Sequence, residues 1–231
     1  MAPPRLLAAG LVFAGVLACS ACAPFAASPS SAQAAPAVAQ LDALPVRPHT
    51  SLAGYSREAF GPAWSDNGTV ELSHNHCPTR EDILARDLDR VVRDMDGCTV
   101  LAGVLHDRYT GKTVNFQRGP RTSLVVQIDH IVPLGLAWQT GARELTAEQR
   151  LNLANDPENL VAADGSTNAA KGAKDASEWL PPRSDALCWY ASAQVRVKAK
   201  YRLSVSSAEE SALRQVLQSC PSSGQGAEGR R

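Results

Sequence analysis

Three polar positions in the middle of the chain combine a proton acceptor with oxygen ligands. Asp129 and His130 are adjacent, and Asn168 follows after a long connection. Histidine titrates near neutral pH and is suited to act as a general base. Carboxylate and amide oxygens are the ligands that hard cations such as Mg²⁺ prefer. These residues therefore offer the parts for activating water and for holding a cation beside an anionic substrate.

Two strands and a helix are predicted to position these residues. The β-branched run at 124–128 predicts a strand that leads directly into the Asp–His pair, and 159–163 predicts a second short strand. Residues 167–180 predict a helix with Asn168 near its N-terminus. Because neighbouring side chains diverge at a strand end, one member of the Asp–His pair can face a metal while the other faces water.

Three segments in this order resemble the HNH endonuclease family. They are residues 128–134 (IDHIVPL), 158–160 (ENL) and 167–172 (TNAAKG). Further pieces that begin at Tyr55, Cys77, Tyr109 and Trp179 are similar to exported HNH-family proteins of actinobacterial type. The resemblance therefore extends over 55–220.

The resemblance implies an α+β fold with a ββα-metal core and a phosphodiester-hydrolysing activity. It implies that His130 is the general base and that Asp129 and Asn168 are metal ligands, with Asn159 orienting His130. Mg²⁺ is the expected cofactor, with Mn²⁺ or Zn²⁺ as alternatives. Many members have zinc-binding cysteine pairs around the motif and some have histidine at the position of Asn168, and this chain has neither.

Two basic residues are candidates for binding the substrate. Lys171 lies one helical turn after Asn168, so it can contact phosphate, and it can equally form an ion pair with Asp175 at i,i+4. Arg80 can reach the scissile phosphate or stay solvated at the start of a helix. A locally basic stretch offers either a DNA track or a solvated helix surface; it contains Arg196, Lys198, Lys200 and Arg202.

The N-terminus has the features of an export signal. A short segment with one positive charge, at Arg5, precedes the apolar run 6–18 and then small residues. Small residues at Ala32 and Ala34 predict cleavage after Ala34, which gives a signal peptide over 1–34 and a secreted protein. A loose lipoprotein box before Cys19 predicts the alternative, a cell-surface lipoprotein.

The remaining chain is predicted to contain one folded domain. Residues 35–54 are rich in Ala, Pro and Ser and are interpreted as a flexible spacer. The domain then covers 55–220, and the polar tail 221–231 is predicted to be disordered. After the first 25 residues, no run approaches the ~20 apolar residues of a membrane helix, so the only membrane contact expected is the lipid anchor of the alternative.

Four cysteines follow the signal, which suggests two disulfides in an exported chain. We favour Cys77–Cys98 and Cys188–Cys220, because each pair brackets a helical segment. Zinc binding is the weaker alternative, because no CxxC spacing occurs and oxidising compartments favour disulfides.

Several elements are predicted to surround the central motif. Apolar residues at helical spacing predict helices, alternation predicts a hairpin, and Thr146 with Gln149 forms a capping-box signature. The predicted helices cover 79–94, 135–141, 146–154, 185–201 and 206–219, and the predicted hairpin covers 99–116.

The charge balance argues against a protein that holds nucleic acid by bulk electrostatics. The chain has 23 basic and 23 acidic residues, with 44% hydrophobic residues. It is still compatible with an enzyme that meets phosphate through a cation and a few local charges. We expect a monomer that acts on DNA rather than RNA. The alternatives are a non-catalytic, exported nucleic-acid-binding protein and a cell-surface interaction module.

Overall fold

The computed structural model describes residues 34–221 and has the α+β architecture that the sequence predicts. The strands are β1 (Leu88–Arg93), β2 (Val100–His106), β3 (Thr113–Gln117), β4 (Val126–His130) and β5 (Leu160–Asp164). The α-helices are α1 (Ala34–Asp42), α2 (Thr79–Asp87), α3 (Leu134–Gln139), α4 (Ala147–Asn155), α5 (Gly165–Lys171), α6 (Leu187–Lys200) and α7 (Ser207–Ser219). Residues 1–33 of the predicted signal, which include the lipoprotein box before Cys19, and residues 222–231 of the predicted tail lie outside the described residues.

The three strands β1, β2 and β3 form an antiparallel sheet in sequence order. The predicted hairpin 99–116 corresponds to β2 and β3. The predicted helix 79–94 is wrong beyond Asp87, where α2 ends and β1 begins. Val91 and Val92 fit a helical period and a strand equally well. Pairing with β2, which local spacing does not reveal, therefore decides the outcome.

A separate antiparallel pair, β4 and β5, carries α5 against both of its strands. The predicted strand–strand–helix order is therefore present. Asp164 caps α5 by accepting a hydrogen bond of 2.9 Å from the amide of Thr167. The predicted helix 167–180 is too long, because α5 ends at Lys171. Gly172 follows at a φ of 56°, a conformation that glycine adopts without a steric penalty.

The helices near the β4–β5 strand pair agree closely with their predicted ranges. The turn before α4 forms the predicted capping box, in which Thr146 and Gln149 bond to each other's backbone amides. Helices α3, α6 and α7 begin and end close to the residues expected from the sequence. Their apolar residues are buried in two core clusters, with Leu136 of α3 and Val197 of α6 in one and Leu213 of α7 in the other.

The interpretation of 35–54 as a flexible spacer is contradicted by α1. Ala37, Leu41 and Leu44 are buried against α6 and α7. Their spacing of i, i+4 and i+7 is that of one helix face, which the Ala- and Pro-rich composition concealed. Beyond α1, Val46 forms a parallel bridge with Val205. The folded domain therefore includes the segment before Tyr55.

Both predicted disulfides are present. Cys77–Cys98 joins the loop before α2 to the loop before β2, and Cys188–Cys220 joins the start of α6 to the residue after α7. Because these four sulfurs are bonded in pairs, the zinc alternative for the cysteines does not hold. Each helix within residues 34–221 is too short or too polar to cross a membrane.

Candidate active site

Asp129 and His130 end β4 and face opposite sides of the two-stranded sheet. Asp129 lies opposite Val161 and His130 lies opposite Leu160 in the register with β5. Successive side chains of a strand alternate between faces, so the two neighbours are separated by the sheet itself. The exposed fraction is 5% for Asp129 and 9% for His130. Each side chain therefore has its own buried surroundings.

The His130 ring is held by a backbone carbonyl and an aromatic ring. Its Nε2 lies 2.9 Å from the carbonyl oxygen of Ala154, near the end of α4. The Trp64 indole stacks on the imidazole at a centroid distance of 6.0 Å and an interplanar angle of 13°. Because a carbonyl oxygen only accepts hydrogen bonds, Nε2 carries the proton in the neutral ring. Nδ1 is then the nitrogen that can accept a proton.

Burial keeps this imidazole neutral. It lowers the pKa of His130 from 6.5 to about 4, against the opposing effect of the hydrogen bond to Ala154. The positive charges of Arg57 and Lys171 make smaller contributions to the same decrease of the pKa. At pH 7 the ring is therefore unprotonated, which is the state that a general base requires.

His130 lines a cleft of about 200 Å³ between the segment 57–64 and the end of α4. Arg57 and Glu58 lie on one side of this cleft and Asn155 on the other. The Asn155 Nδ2 donates to a backbone carbonyl one turn earlier at 2.9 Å, whereas its Oδ1 is buried with no hydrogen-bond partner in the described chain. A buried acceptor without a partner is uncommon in folded proteins and suits a donor group brought by a ligand.

Sequence reasoning missed Arg57 and Asn155 as functional candidates. Arg57 entered only as part of the outer resemblance that begins at Tyr55, and Asn155 lies one residue beyond the predicted helix 146–154. Their proximity to His130 depends on contacts between segments that are far apart in sequence. The presence of Arg57 inside a family-like segment was the one signal that could have found it.

On the opposite face, Asp129 is bound to two buried groups. Its Oδ2 accepts a hydrogen bond of 2.6 Å from the Tyr109 hydroxyl, and its Oδ1 accepts one of 3.0 Å from Lys171 Nζ. Lys171 also donates to the His130 carbonyl oxygen at 2.8 Å, and its side chain is fully buried. Burial raises the pKa of Asp129 and lowers that of Lys171, while their attraction opposes both shifts. This arrangement is a closed ion pair that ties α5 to the end of β4.

The predicted ligands Asp129 and Asn168 lie on the same face of β4 but do not form an open cation site. Asn168 Nδ2 donates to Gln127 Oε1 at 2.9 Å, two residues before Asp129. Both carboxylate oxygens of Asp129 are occupied, one by the ammonium of Lys171, whose charge repels a cation. Mg²⁺, Mn²⁺ and Zn²⁺ therefore do not fit this pair as it is arranged here.

Asn159 supports the chain after His130 rather than its ring. The Asn159 Oδ1 accepts from the amide of Val132 at 2.8 Å, and its Nδ2 donates to the carbonyls of Val132 and Leu153 at 3.3 and 3.1 Å. The Asn159 carbonyl also accepts from the amide of Ile131 at 2.7 Å. The expected orienting role can therefore act only through the backbone.

Neither residue that was predicted to bind substrate is placed to do so. Lys171 has no exposed surface, and it pairs with Asp129 rather than with phosphate or with Asp175. Arg80 bonds to Glu81 at 3.1 Å and lies over the Phe116 ring. Arg80 and Glu81 both lie in α2 and Phe116 lies in β3, and Arg80 does not line the His130 cleft. Both substrate-binding predictions therefore find no support in the structure.

A second group of potential metal ligands lies elsewhere in the described residues. Atoms of His49, Asp175 and Glu209 come within 4.8 Å of one another. Lys198 Nζ lies 2.9 Å from the Glu209 carboxylate, and both of these side chains are fully buried. Because the ammonium already neutralises Glu209, a buried ion-pair network explains the cluster without a metal.

A comparison with known protein families identifies the family of this chain. Residues 79–216, more than half of the chain, match the family described as GmrSD restriction endonucleases, C-terminal domain. The chain belongs to this family, which is an HNH-type nuclease family. The predicted HNH identity is therefore confirmed at family level, whereas the actinobacterial likeness stays a prediction.

One relative with high coverage is described as an uncharacterized secreted protein of Arthroderma benhamiae. It is 38% identical over 201 residues, which cover 86% of this chain and 91% of the relative. No solved structure matches the chain significantly. The nuclease class therefore comes from the family, and the relative adds no activity to it.

Proposed function

We propose that this protein hydrolyses phosphodiester bonds of DNA, with His130 as the general base. The observation that carries the proposal is a neutral imidazole, anchored through Nε2, that lines a cleft beside Arg57. The family supplies the reaction class. The cleft supplies a proton acceptor and a positive charge on the same side of the sheet.

In the proposed reaction, water attacks the phosphorus atom while His130 Nδ1 accepts the proton of that water. The bond from phosphorus to the leaving sugar oxygen breaks, and that oxygen takes a proton from solvent, which leaves a phosphomonoester and a hydroxyl group. The Nε2–H group keeps donating its hydrogen bond to the Ala154 carbonyl, which holds the ring in its orientation. Arg57 binds a phosphate oxygen with its guanidinium, which presents several donors in a fixed plane. The negative phosphate also favours protonated His130, so substrate raises the low pKa of the free protein toward the working range.

The comparison of Mg²⁺, Mn²⁺ and EDTA in the cleavage assay tests metal dependence. HNH-like nucleases generally use a divalent cation. The predicted ligands Asp129 and Asn168 do not fit one in the arrangement described above, so no step here passes through a metal.

We also propose that the protein is exported. The two disulfides are typical of oxidising compartments, the relative is described as secreted, and the N-terminal segment is predicted to be a signal. Mass spectrometry of the mature chain distinguishes an N-terminus at Ala35 from a lipidated Cys19. A mature protein that retains Met1 would contradict both forms of processing.

The test of the activity is cleavage of plasmid DNA and of RNA by the purified, disulfide-intact protein. Reactions contain Mg²⁺, Mn²⁺ or EDTA, and His130→Ala is compared with His74→Ala, which alters an exposed histidine outside the cleft. We expect cutting that His130→Ala abolishes and His74→Ala preserves. Cleavage of neither nucleic acid under any of these conditions would contradict the proposal.

The saturated Asp129 favours one alternative, a non-catalytic nucleic-acid-binding protein that keeps the fold. Its carboxylate is closed by Lys171 and Tyr109, where the predicted cation would have to bind. Binding of oligonucleotides without cleavage would support this alternative.

A further inference from the structure

A second cavity of about 490 Å³ adjoins the β4–β5 strand pair and shares no lining residue with the His130 cleft. It lies between the end of α2, the end of β2, α6 and β5. Ile131, which follows His130, and Glu158, which precedes Asn159, both line it. The cavity therefore borders the chain segments that carry the proposed base and the residue that supports it.

Three arginines line this cavity, and they differ in how their charges are satisfied. Arg86 binds both carboxylate oxygens of Asp87 at 2.7 and 2.9 Å and donates to the Leu160 carbonyl at 2.7 Å. It is thus fully engaged at the edge of β5. Arg108 and Arg196 form no ion pair with any carboxylate in residues 34–221. Their positive charges therefore have no counterpart in the described protein.

The two unpaired guanidiniums are held in place without being neutralised. The Arg108 guanidinium lies 4.5 Å from the centroid of the Trp189 ring, which orients it but provides no hydrogen-bond acceptor. The Arg196 Nη1 is buried and has no hydrogen-bond partner among the described residues. A buried donor of this kind is normally paired, so an acceptor from outside the chain fits its position.

The other charged groups facing the cavity are already balanced. The carboxylate of Asp87 is paired with Arg86 and also accepts from the amide of Ala162 at 2.7 Å. Glu158 is half exposed and contacts Lys200 at 3.4 Å. His106 contacts the exposed Asp89 at 3.2 Å. The cavity therefore has an excess of positive charge from Arg108 and Arg196.

We propose that this cavity binds a phosphate group of the nucleic-acid strand, through Arg108 and Arg196. Planar guanidiniums match phosphate oxygens in paired hydrogen bonds. The cavity falls within the range of about 300–1,000 Å³ typical of small-ligand sites, so it has room for a phosphate with part of its nucleoside. The inference rests on the proposed function, which identifies the bound strand as nucleic acid. The cavity borders the β4–β5 strand pair, and His130 lies at the end of β4.

The test measures binding of a labelled single-stranded DNA oligonucleotide to the His130→Ala protein, in which the strand stays intact. Arg108→Gln and Arg196→Gln are made in this background, with Arg47→Gln as a control that removes an exposed charge outside the cavity. We expect each cavity variant to bind about tenfold more weakly, as the removal of a charged hydrogen bond predicts. The slope of log Kd against log salt should fall by about 0.7 for each phosphate that the variant no longer neutralises.

Inorganic phosphate and a mononucleotide serve as probes for the alternative source of the same chemistry. Oligonucleotide binding that depends on both arginines supports the strand site. Arginine-dependent binding of free phosphate or mononucleotide, with oligonucleotide affinity unchanged by the substitutions, overturns it. Because Arg108 is exposed, Arg108→Gln keeps the test valid if Arg196→Gln does not fold.

The two proposals fail in different ways. If the unsubstituted His130 protein cuts nothing but arginine-dependent oligonucleotide binding remains, the activity fails and the phosphate site stands. If cleavage occurs but affinity and salt slope are the same in Arg108→Gln, Arg196→Gln and Arg47→Gln, the phosphate site fails and the activity stands.

Discussion

Two adjacent polar residues lie on opposite faces of the β4–β5 strand pair and have different surroundings. On one face, His130 keeps a free basic nitrogen and lines a cleft with Arg57. On the other face, Asp129 has both oxygens occupied by Lys171 and Tyr109 and is almost inaccessible to solvent. One face can therefore react with a ligand, whereas the other is already satisfied within the protein.

This difference shows how a two-residue motif divides its tasks. The Asp–His pair suggested one site in which both residues meet the substrate. The period of a strand instead sends neighbours to opposite sides, so a closed ion pair fixes the backbone at which the histidine is displayed. Lys171 illustrates the link, because it binds both the Asp129 side chain and the His130 carbonyl.

The largest expected effect is on the histidine face. His130→Ala should lower the cleavage rate by about 10²–10⁴-fold, the usual contribution of a general base. The rate is measured on plasmid DNA under single-turnover conditions. Circular dichroism establishes that the variant is folded.

Asp129→Asn provides the matched change on the opposite face. It should retain far more cleavage activity than His130→Ala, because Asp129 has no open contact with the cleft. Equal loss of activity in the two folded variants would show that the faces do not differ in function.

The second prediction concerns stability on the aspartate face. Lys171→Met leaves the Asp129 charge buried and unpaired, which should lower the free energy of unfolding by about 3–5 kcal/mol. Urea unfolding measures the change, and Lys174→Met, at an exposed position of similar sequence context, should have little effect. Addition of Asp129→Asn to Lys171→Met should recover part of the stability. The closed ion pair would be refuted by equal stability of the two lysine variants.

The third prediction uses pH to separate His130 from the other groups. Its pKa is about 4 in the folded protein and 6.5 when unperturbed. The unfolded chain therefore binds a proton over this window that the folded protein does not. Stability should fall as pH drops from 6.5 to 4, by about 3 kcal/mol from this residue.

Comparison with His130→Gln isolates this contribution, because all other titrating groups are shared. Urea unfolding at pH 7 and at pH 4.5 should show a smaller loss of stability in His130→Gln than in the parent. His74→Gln should behave like the parent. Parallel pH profiles for parent and His130→Gln would mean that the imidazole is not buried in its neutral form.

The smallest predicted effect concerns Tyr109. Tyr109→Phe removes one hydrogen bond to the Asp129 carboxylate, and a bond to a charged group contributes about 2 kcal/mol. Thermal unfolding should reveal this decrease while cleavage stays close to the parent rate. Tyr55→Phe is the control with an aromatic ring outside the Asp129 network. A drop in cleavage as large as that of His130→Ala would place Tyr109 in the reaction itself.

Local patterns in the sequence were sufficient for much of the fold. The capping box of Thr146 and Gln149, both disulfides and the strand–strand–helix order were all predicted, because each depends on neighbouring residues or on a small number of cysteines. The error at 79–94 arose because apolar residues there satisfy two periods. Helix α1 was missed because the residues of its apolar face, such as Ala37 and Leu41, lie in a segment whose Ala- and Pro-rich composition is typical of a spacer.

The site was less predictable than the fold. His130 was identified from its motif, but the surroundings that define its chemistry come from distant segments, namely Trp64, Arg57 and the carbonyl of Ala154. The opposite error occurred at Lys171, whose burial depends on the packing of α5 over β4. Charge and spacing along one helix cannot reveal which side of a sheet the helix covers.

The packing of α1 has a consequence for the order in which the molecule is completed. The main partners of its apolar face are the last two helices, α6 and α7. Just beyond α1, Val46 forms a bridge with Val205. During synthesis, helix α1 therefore cannot bury that face until nearly the whole chain has been made. Contacts of such wide sequence separation form late and slow folding. The beginning of the domain should thus remain open and unstructured until its end has emerged.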